Sequence, residues 1–545
     1  MLTKKSKNFI KKILSNILNL GMDKNIGSVF LNDHKIDKLQ RRFLFASSFV
    51  PCELIHHFWF CYDKTYDLDE DKIYQRFCEI VESKNINRLL FTIQLMNVSK
   101  MINIDILKDI VSLCKNIKSP VVRYWLTMDL TWITFSHQEL MYDEYYNDRK
   151  ALLEIIACES NICIPRKEIS SQKRKLLILT FVLAPTTSNS AQRVAMMLAN
   201  GFGKYFEDVL VLSLDSFASS HAERREGFSE YYRNYSSTYE NDIKRLFGDN
   251  IQVKFADGKN YKERMQDSIN KIYAYNPTVI FDMSDECSPM SYFYSKDFYT
   301  LYIPMRGVGS SSFYTNIEGR TWKFATGNEK YHSVDLDDVI DWSFPESVPS
   351  AVDSYTRKDL GLNENDFIVI TIGSNEFDFE DEYIDYICEM ITKNDRIVWL
   401  FVGGDAPRRI YAMYKHLVNN SRIISRGYEN NLAGLCKICD IVLRGNVSGG
   451  SNGTAIAAMQ GLPVVMMNRV CDPMRWLGRD FTDLETYSDV VKYIEELSHD
   501  VHKYEMAKIK TYEKIKKAVN QEEAWEDLYK TVEKKRMLKN YDGTV

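Results

Sequence analysis

The sequence predicts an α/β protein in which two consecutive doubly wound, parallel-sheet domains follow an α-helical N-terminal region. Three observations carry this. Short continuous apolar runs, of the kind shown by strands buried on both faces, recur from Leu176 onward and alternate with helical stretches. From about residue 36 to 165 apolar residues recur at three-and-four spacing, without strand alternation. Gly445 to Gly453 holds four glycines in nine residues, between a strand-like and a helix-like run, and no element interior accepts that cheaply.

The helical region, residues 1–165, reads as an accessory domain with helices over Ile73–Val81, Ile86–Met96, Ile104–Ile117 and Gln138–Ala157. Trp125, Trp132, Phe135, Tyr142, Tyr145 and Tyr146 crowd one segment of it, a spacing that suits either a core or a groove for an acceptor. Arg166–Lys175 is a basic, polar linker. The strand Leu176–Val182 then opens a domain over 170–345. A polar loop containing Thr187, Ser188 and Asn189, a helix over Ala191–Asn200 and a strand over Asp208–Ser213 complete a β-α-β unit. The strand Thr278–Phe281 runs into Asp282, Asp285 and Glu286. Carboxyl ends of parallel strands face the ligand cleft, so these acids are placed for chemistry, while Ser284 or Asp285 could equally cap a helix. Thr300–Ile303 leads into a second small-residue loop with Arg306, Gly307, Gly309 and Ser310.

Pro345–Pro349 reads as a hinge, and the third domain, 350–545, begins beyond it. Its strands are Phe367–Asn375, Ile397–Asp405, Arg422–Ser425, Ile441–Leu443 and the run after Pro463. Between them lie a helix ending at Thr392, one containing Arg408 and Arg409, a short one over Leu432–Lys437, and Thr454–Gln460 with Gly461 as its stop. Tyr487–Leu538 is charged and helical throughout. A glycine-rich turn opening onto a helix lets backbone N–H groups approach a phosphate, so Gly449, Gly450, Ser451, Asn452, Gly453 and Thr454 form a candidate anion cradle.

Composition narrows the function. A net charge of −5 argues against general affinity for nucleic acid and leaves room for local basic patches. Eleven scattered cysteines suit a reducing compartment, and the lone CxxC, Cys436 to Cys439, has no second pair and reads as helix packing. No run is long enough to span a membrane and no secretory leader is evident, so a cytoplasmic protein is expected. Residues 2–20 form a basic amphipathic stretch that suits either the inner face of an anionic membrane or packing on its own domain.

The succession over residues 170–540 resembles the GT-B glycosyltransferases, in which two facing Rossmann-like domains bind a nucleotide-sugar on the C-terminal one. The resemblance lies in Arg357-x-x-Leu-Gly-Leu before a strand ending at Gly373, then Leu-Phe-Val-Gly-Gly-Asp405, Cys-Asp-Ile-Val-Leu443 and Gly-Leu-Pro-Val-Val465, in that order. Within GT-B the chain is similar to the bacterial adhesin glycosyltransferases and the O-GlcNAc transferase group. Asn452-Gly453 lies eight residues before Gly461-Leu-Pro463, and Gly307-Val-Gly-Ser-Ser-Ser312 follows Tyr302-Ile-Pro304.

The resemblance implies a metal-independent hexosyltransferase without cofactor, moving a sugar from a UDP-linked donor to a protein or surface-glycan acceptor. Donor binding is expected from Gly373, Ser374, Asn375, Gly403, Gly404, Arg408, Arg426 and Arg444 with the cradle, and Arg409 is expected in a surface salt bridge. The acceptor side is expected in the loops of Thr187–Asn189 and Arg306–Ser310. Asp282 is nominated as base, with Asp285, Glu286 and His221 behind it. Two departures stand against this. Ile456 occupies the position of an acid that would bind the donor's ribose, and the loop after the first strand carries five acids in seven residues, Glu376 to Glu382. They favour a rival reading, a catalytically silent GT-B subunit that partners an active transferase. A sugar-nucleotide epimerase is a third reading, opposed by the large helical region.

Overall fold

A computed structural model gives the chain two parallel β-sheets. It describes most of residues 102–168, 173–214, 241–303 and 355–538, the two short strands between them, and a few isolated positions before 102; the interruptions include 184–189, 285–288, 374–378 and 446–450. Of the expected helices before residue 102 only positions 75, 77–79 and 93 are described, all of them helical; the basic stretch 2–20 and the hinge at 345–349 lie outside the described residues. Two compact units result, Met1–Gln192 with Val209–Phe298, and Arg193–Asp208 with Tyr299–Val545.

The described elements of the first unit include α1 (Ile104–Asn116) and α2 (Tyr145–Ser160). Asn103 caps α1, its Oδ1 accepting from Ile106 N at 2.9 Å, and Ile106, Leu107, Ile110, Val111 and Cys114 form its buried face. Arg123 closes the other end, donating from Nε to the Cys114 carbonyl at 2.9 Å and pairing with Glu159. Beyond it Tyr124 stacks on Tyr261 with ring centroids 4.2 Å apart. Tyr124, Ile156 and Ala157 share one core with Leu177, Leu179, Leu210 and Ile280. The described end of the helical region is therefore part of the wall of the first sheet.

That sheet comprises β1 (Lys175–Thr180), β2 (Asp208–Ser213), β3 (Gln252–Phe255), β4 (Val279–Met283), β5 (Tyr299–Tyr302), β6 (Ile317–Arg320) and β7 (Val339–Asp341), in the order β3-β2-β1-β4-β5-β6-β7. Helices α3 (Ser190–Met197), α4 (Tyr261–Tyr275) and α5 (Met290–Tyr294) connect these strands. Strands added on both sides of β1 make it doubly wound, and Leu179 sits opposite Asp282 in the β1–β4 register. Sequence reading passes over β3 because Gln252–Phe255 alternates exposed and buried residues and shows no apolar run.

The second sheet runs β10-β9-β8-β11-β12, from β8 (Phe367–Ile372), β9 (Ile397–Val402), β10 (Ile423–Ser425), β11 (Ile441–Leu443) and β12 (Val464–Val465). Its helices are α6 (Asp381–Lys393), α7 (Arg408–Met413), α8 (Lys415–Asn419), α9 (Leu432–Cys436), α10 (Ser451–Met459), α11 (Met474–Leu477), α12 (Tyr487–His499), α13 (Val501–Ala518) and α14 (Gln521–Leu538). Val369, Trp399 and Phe401 point to one core, with Tyr383, Ile387, Val490 and Ile494. Their neighbours Ile368, Ile370, Val398 and Leu400 point to the other, with Ala455, Ala458 and Ile515. Cover on both faces is why these strands read as unbroken apolar runs. At the amino edge Arg357 donates to the Glu364 carbonyl at 2.7 Å and grips both Asp440 oxygens at 3.0 Å. Asp440 in turn accepts from Ile368 N at 2.7 Å, so the arginine of the Arg-x-x-Leu-Gly-Leu motif ties the starts of β8 and β11 together.

Within the second unit, α14 packs on a π-helical turn, Leu198–Phe202, and the 3-10 turn after it. Tyr529 stacks on Tyr205 with centroids 4.3 Å apart, and Trp525, 2% exposed, lies so close over Gly201 that no Cβ fits there. Overpacking of this kind costs about 1–3 kcal/mol. We expect Gly201→Val to raise hydrogen exchange across 521–538 while β8 and β9 keep their protection. Wild-type exchange in α14 would show that the notch does not hold the helix.

Candidate functional site

The carboxyl edge of the second sheet is built from glycine backbone. Gly373, following β8, donates to the Val402 carbonyl at 2.9 Å, and Gly403, following β9, donates to the Gly427 carbonyl at 2.7 Å. Gly403 has φ +102° and Gly427 φ +69°, in the region that favours glycine. A Cβ on Gly403 would lie 2.8 Å from the Gly373 carbonyl oxygen, so these two turns touch main chain to main chain. Beneath them Trp399 Nε1 donates to Thr371 Oγ1 at 2.9 Å, and Thr371 donates to the Leu443 carbonyl at 3.1 Å. This buried relay joins β9, β8 and β11 under the edge. Gly427, Thr371 and Trp399 were not singled out from sequence; the only signal was a lone glycine just past a strand.

Arg444 continues β11, donating its N–H to the Val465 carbonyl at 2.9 Å, and is 4% exposed. The following helix starts earlier than its composition suggests. Thr454–Gln460 was the expected span, yet α10 begins at Ser451, so Asn452, Gly453 and Thr454 form its first turn instead of a loop. Gly453 permits this by packing on Ile372, where a Cβ would lie 2.6 Å from Ile372 Cγ2. Gly461 stops the helix as expected, at φ +90° with its N–H on the Ala458 carbonyl at 3.0 Å. The first amides of a helix lack internal partners and carry the positive end of its dipole. The edge therefore brings together Gly373, Gly403, Gly404, Arg444 and Asn452–Thr454. Ser374, Asn375, Gly449 and Gly450, the side chains of Arg408 and Ser451, and the loops of Thr187, Ser188, Asn189, Arg306, Gly307, Gly309 and Ser310 lie outside the described residues.

Other expected residues have local duties. Arg426 was expected to face a diphosphate; its Nε instead donates to Glu429 Oε2 at 2.8 Å, and its guanidinium lies 4.7 Å over the Tyr355 ring. Glu429 also accepts from Tyr355 at 3.0 Å and Asn431 N at 2.7 Å, partners that hold its carboxyl below the usual range against the opposing effect of burial. Arg409 takes the expected salt bridge, with Asp385 at 2.5 Å and Asp381 at 3.2 Å. Of the acidic stretch, Glu380 accepts from Tyr487 at 2.5 Å, and Asp381 and Glu382 occupy the first turn of α6, the favourable end of its dipole. Asp282 is 2% exposed, accepting from Ser284 N at 2.8 Å, from Ser284 Oγ at 2.5 Å and from Tyr294. Asp285, Glu286 and His221 lie outside the described residues. Ile456 is 4% exposed on α10. Cys436 and Cys439 are buried and burial raises both thiols, which fits packing. Among the described residues no cluster suits a metal ion and no helix is long and apolar enough to cross a membrane.

No protein-family model and no curated protein sequence matches the chain. Among solved structures, a mutant O-GlcNAc transferase of Thermobaculum terrenum superposes with a TM-score of 0.53 at 10% identity, covering 99% of both chains. A glycosyltransferase from Rickettsia africae gives 0.49 at 13% identity over 68% of this chain and all of its own length (100%). Anabaena HepE in complex with UDP-glucose gives 0.46 at 11% identity over 66% of this chain and 99% of its own. The first match, with the two parallel sheets, shows the GT-B fold expected from the sequence.

Two outcomes are expected. Thr371→Val leaves the buried Trp399 N–H without its acceptor and should cost about 1–3 kcal/mol in a denaturant titration; an unchanged midpoint would show that the relay does not stabilise the fold. Hydrogen bonds from Arg409 hold the Asp385 carboxyl below its usual value. A depressed folded-state pKa stabilises above the unfolded value, about 3.9, and that stabilisation fades as pH falls through the folded one. The melting difference between wild type and Asp385→Asn should therefore shrink on acidification.

Proposed function

We propose that the chain is a glycosyltransferase that binds a nucleotide-sugar, UDP-linked, with its diphosphate at the carboxyl edge of the second sheet, and transfers the sugar to a protein or surface-glycan acceptor. The observation that carries this reading is the convergence of Gly373, Gly403, the buried Arg444 and the first turn of α10 on one edge. Glycosyl transfer needs a leaving diphosphate stabilised by fixed donors. The first-turn amides of α10 supply such donors without reorganising during the reaction, with Arg444 beside them at the end of β11, while the Gly373 and Gly403 amides, taken by Val402 and Gly427, hold the edge in shape. The scheme routes the departing charge onto these groups and calls on no metal. The GT-B fold, shared with an O-GlcNAc transferase, supports the reading by analogy of fold.

Asp282 fits the role of an anchor better than that of a base. Its carboxylate accepts from Ser284 and Tyr294, which sets the backbone entering the Asp285-Glu286 segment. We therefore assign the acceptor's base to Asp285 or Glu286, with His221 behind them. A silent partner subunit is the second reading, favoured by Ile456, whose buried side chain cannot accept from a ribose hydroxyl.

Calorimetric titration with nucleoside diphosphates, UDP first, followed by donor hydrolysis, separates the two. Binding with slow hydrolysis is expected of a transferase lacking its acceptor; absence of binding across the panel favours the silent subunit. Hydrogen bonds to charged groups contribute about 1.5–3 kcal/mol, so Arg444→Ala and Asn452→Ala should each weaken binding about 10- to 100-fold, with melting checked in parallel. Wild-type affinity in both variants would remove the proposed site.

A further inference from the structure

We infer that Ile372, a residue with no polar atom to offer a ligand, is a positioning residue of this site, because it sets how far the first turn of α10 stands from the sheet edge. The inference rests on the donor-site reading above.

Ile372 ends β8, and Gly453 is the third residue of α10. A Cβ at Gly453 would lie 2.6 Å from Ile372 Cγ2 and 3.2 Å from Ile372 Cβ. Carbon atoms rest at about 3.5–4.0 Å, so an added methyl must displace something by roughly 1 Å. Three features decide what moves. The Ile372 methyl sits on a β-branched carbon with a stiff χ1, and cannot swing aside like the end of a flexible chain. The strand beneath it is held on both sides, by Thr371 to the Leu443 carbonyl at 3.1 Å and by Gly373 N to the Val402 carbonyl at 2.9 Å. The far end of α10 is also held, because Ala455, Ala457 and Ala458 are buried in one core with Ile515 of α13, and Val464 N donates to Thr511 of α13 at 3.2 Å. What meets the Ile372 methyl is the first turn, which carries Asn452 and Gly453 with the buried Thr454 behind them, and it is this turn that an added methyl would displace. A misplacement of about 1 Å in a positioning element costs up to about a hundredfold in function.

The sign of the effect separates this from an ordinary helix substitution. On intrinsic propensity alone, alanine in place of a helical glycine stabilises. Against Ile372 it should push the first turn outward instead.

The test is a double-mutant cycle read by calorimetric titration with UDP, with thermal melting of every variant. Gly453→Ala should weaken UDP binding by tenfold or more, on the order expected for a displaced turn. Adding Ile372→Ala makes room for the new methyl and should restore affinity to within about threefold of Ile372→Ala alone, a coupling typical of residues in contact. Wild-type affinity in Gly453→Ala, or a double variant as weak as Gly453→Ala while melting as Ile372→Ala does, overturns the inference and leaves the donor site standing. If the wild type binds no nucleoside diphosphate, the donor-site reading falls and takes this inference with it. A variant that fails to melt cooperatively is replaced by Gly453→Ser, whose Cβ meets the same Ile372 methyl.

Discussion

Two peptide planes meet where Gly403 passes over the Gly373 carbonyl, at a distance where a Cβ would stand 2.8 Å from the oxygen. The geometry of the carboxyl edge depends on that approach. A side chain there would lift the turn after β9 away from β8 and break the bond from Gly403 N to Gly427. With glycine, the turns after β8, β9 and β10 stay low and bonded to one another, each fixed by its neighbour. The Trp399–Thr371–Leu443 relay braces the same strands from below. Each such bond contributes only about 1 kcal/mol net, but an unpaired partner in this dry layer costs more, so the relay specifies one strand register.

The two edges of the second sheet manage polarity differently. The amino edge closes with a charged pair, Arg357 and Asp440, joined to the Ile368 amide. The carboxyl edge has glycine backbone, one buried arginine and a helix start. Negative charge near it is already spent, Glu380 on Tyr487 and Asp381 on Arg409, with α6 presenting its N-terminus to both. Over the part the structure describes, Glu380 and Asp381 of the acidic stretch thus have local partners, while Glu382 stays exposed in the first turn of α6.

Legibility in the sequence followed cover and partners. Strands covered on both faces, such as Phe367–Ile372 and Ile397–Val402, were plain, and Gly461 marked its helix end through a positive φ that few residues tolerate. The edge strand Gln252–Phe255 was not, because half of its residues face water. The start of α10 was missed because Asn and Gly are poor helix formers, and the reason for them is a steric contact with Ile372, some eighty residues earlier in the chain. Charged residues were the least legible. Nothing in Arg426 itself says that Glu429 and Tyr355 claim it, and nothing in Asp282 announces Tyr294. A residue type suggests chemistry, whereas its partner decides whether that chemistry is available.

Ile456 has the same logic. Ala455, Ala457 and Ala458 are fully buried and Ile456 is 4% exposed, so α10 beyond its first turn is apolar on every side. A carboxylate in such a helix would carry a desolvation cost that one ribose hydroxyl could not offset. The isoleucine is therefore consistent with its surroundings, and a single Ile456→Glu change would bury a charge before it gained a ligand. Under the proposed function, recognition then rests on the diphosphate end of the donor, where amides and Arg444 gather, and the ribose must find its partners outside α10. That division would make the distance between the first turn of α10 and the end of β8 the quantity on which donor affinity chiefly depends.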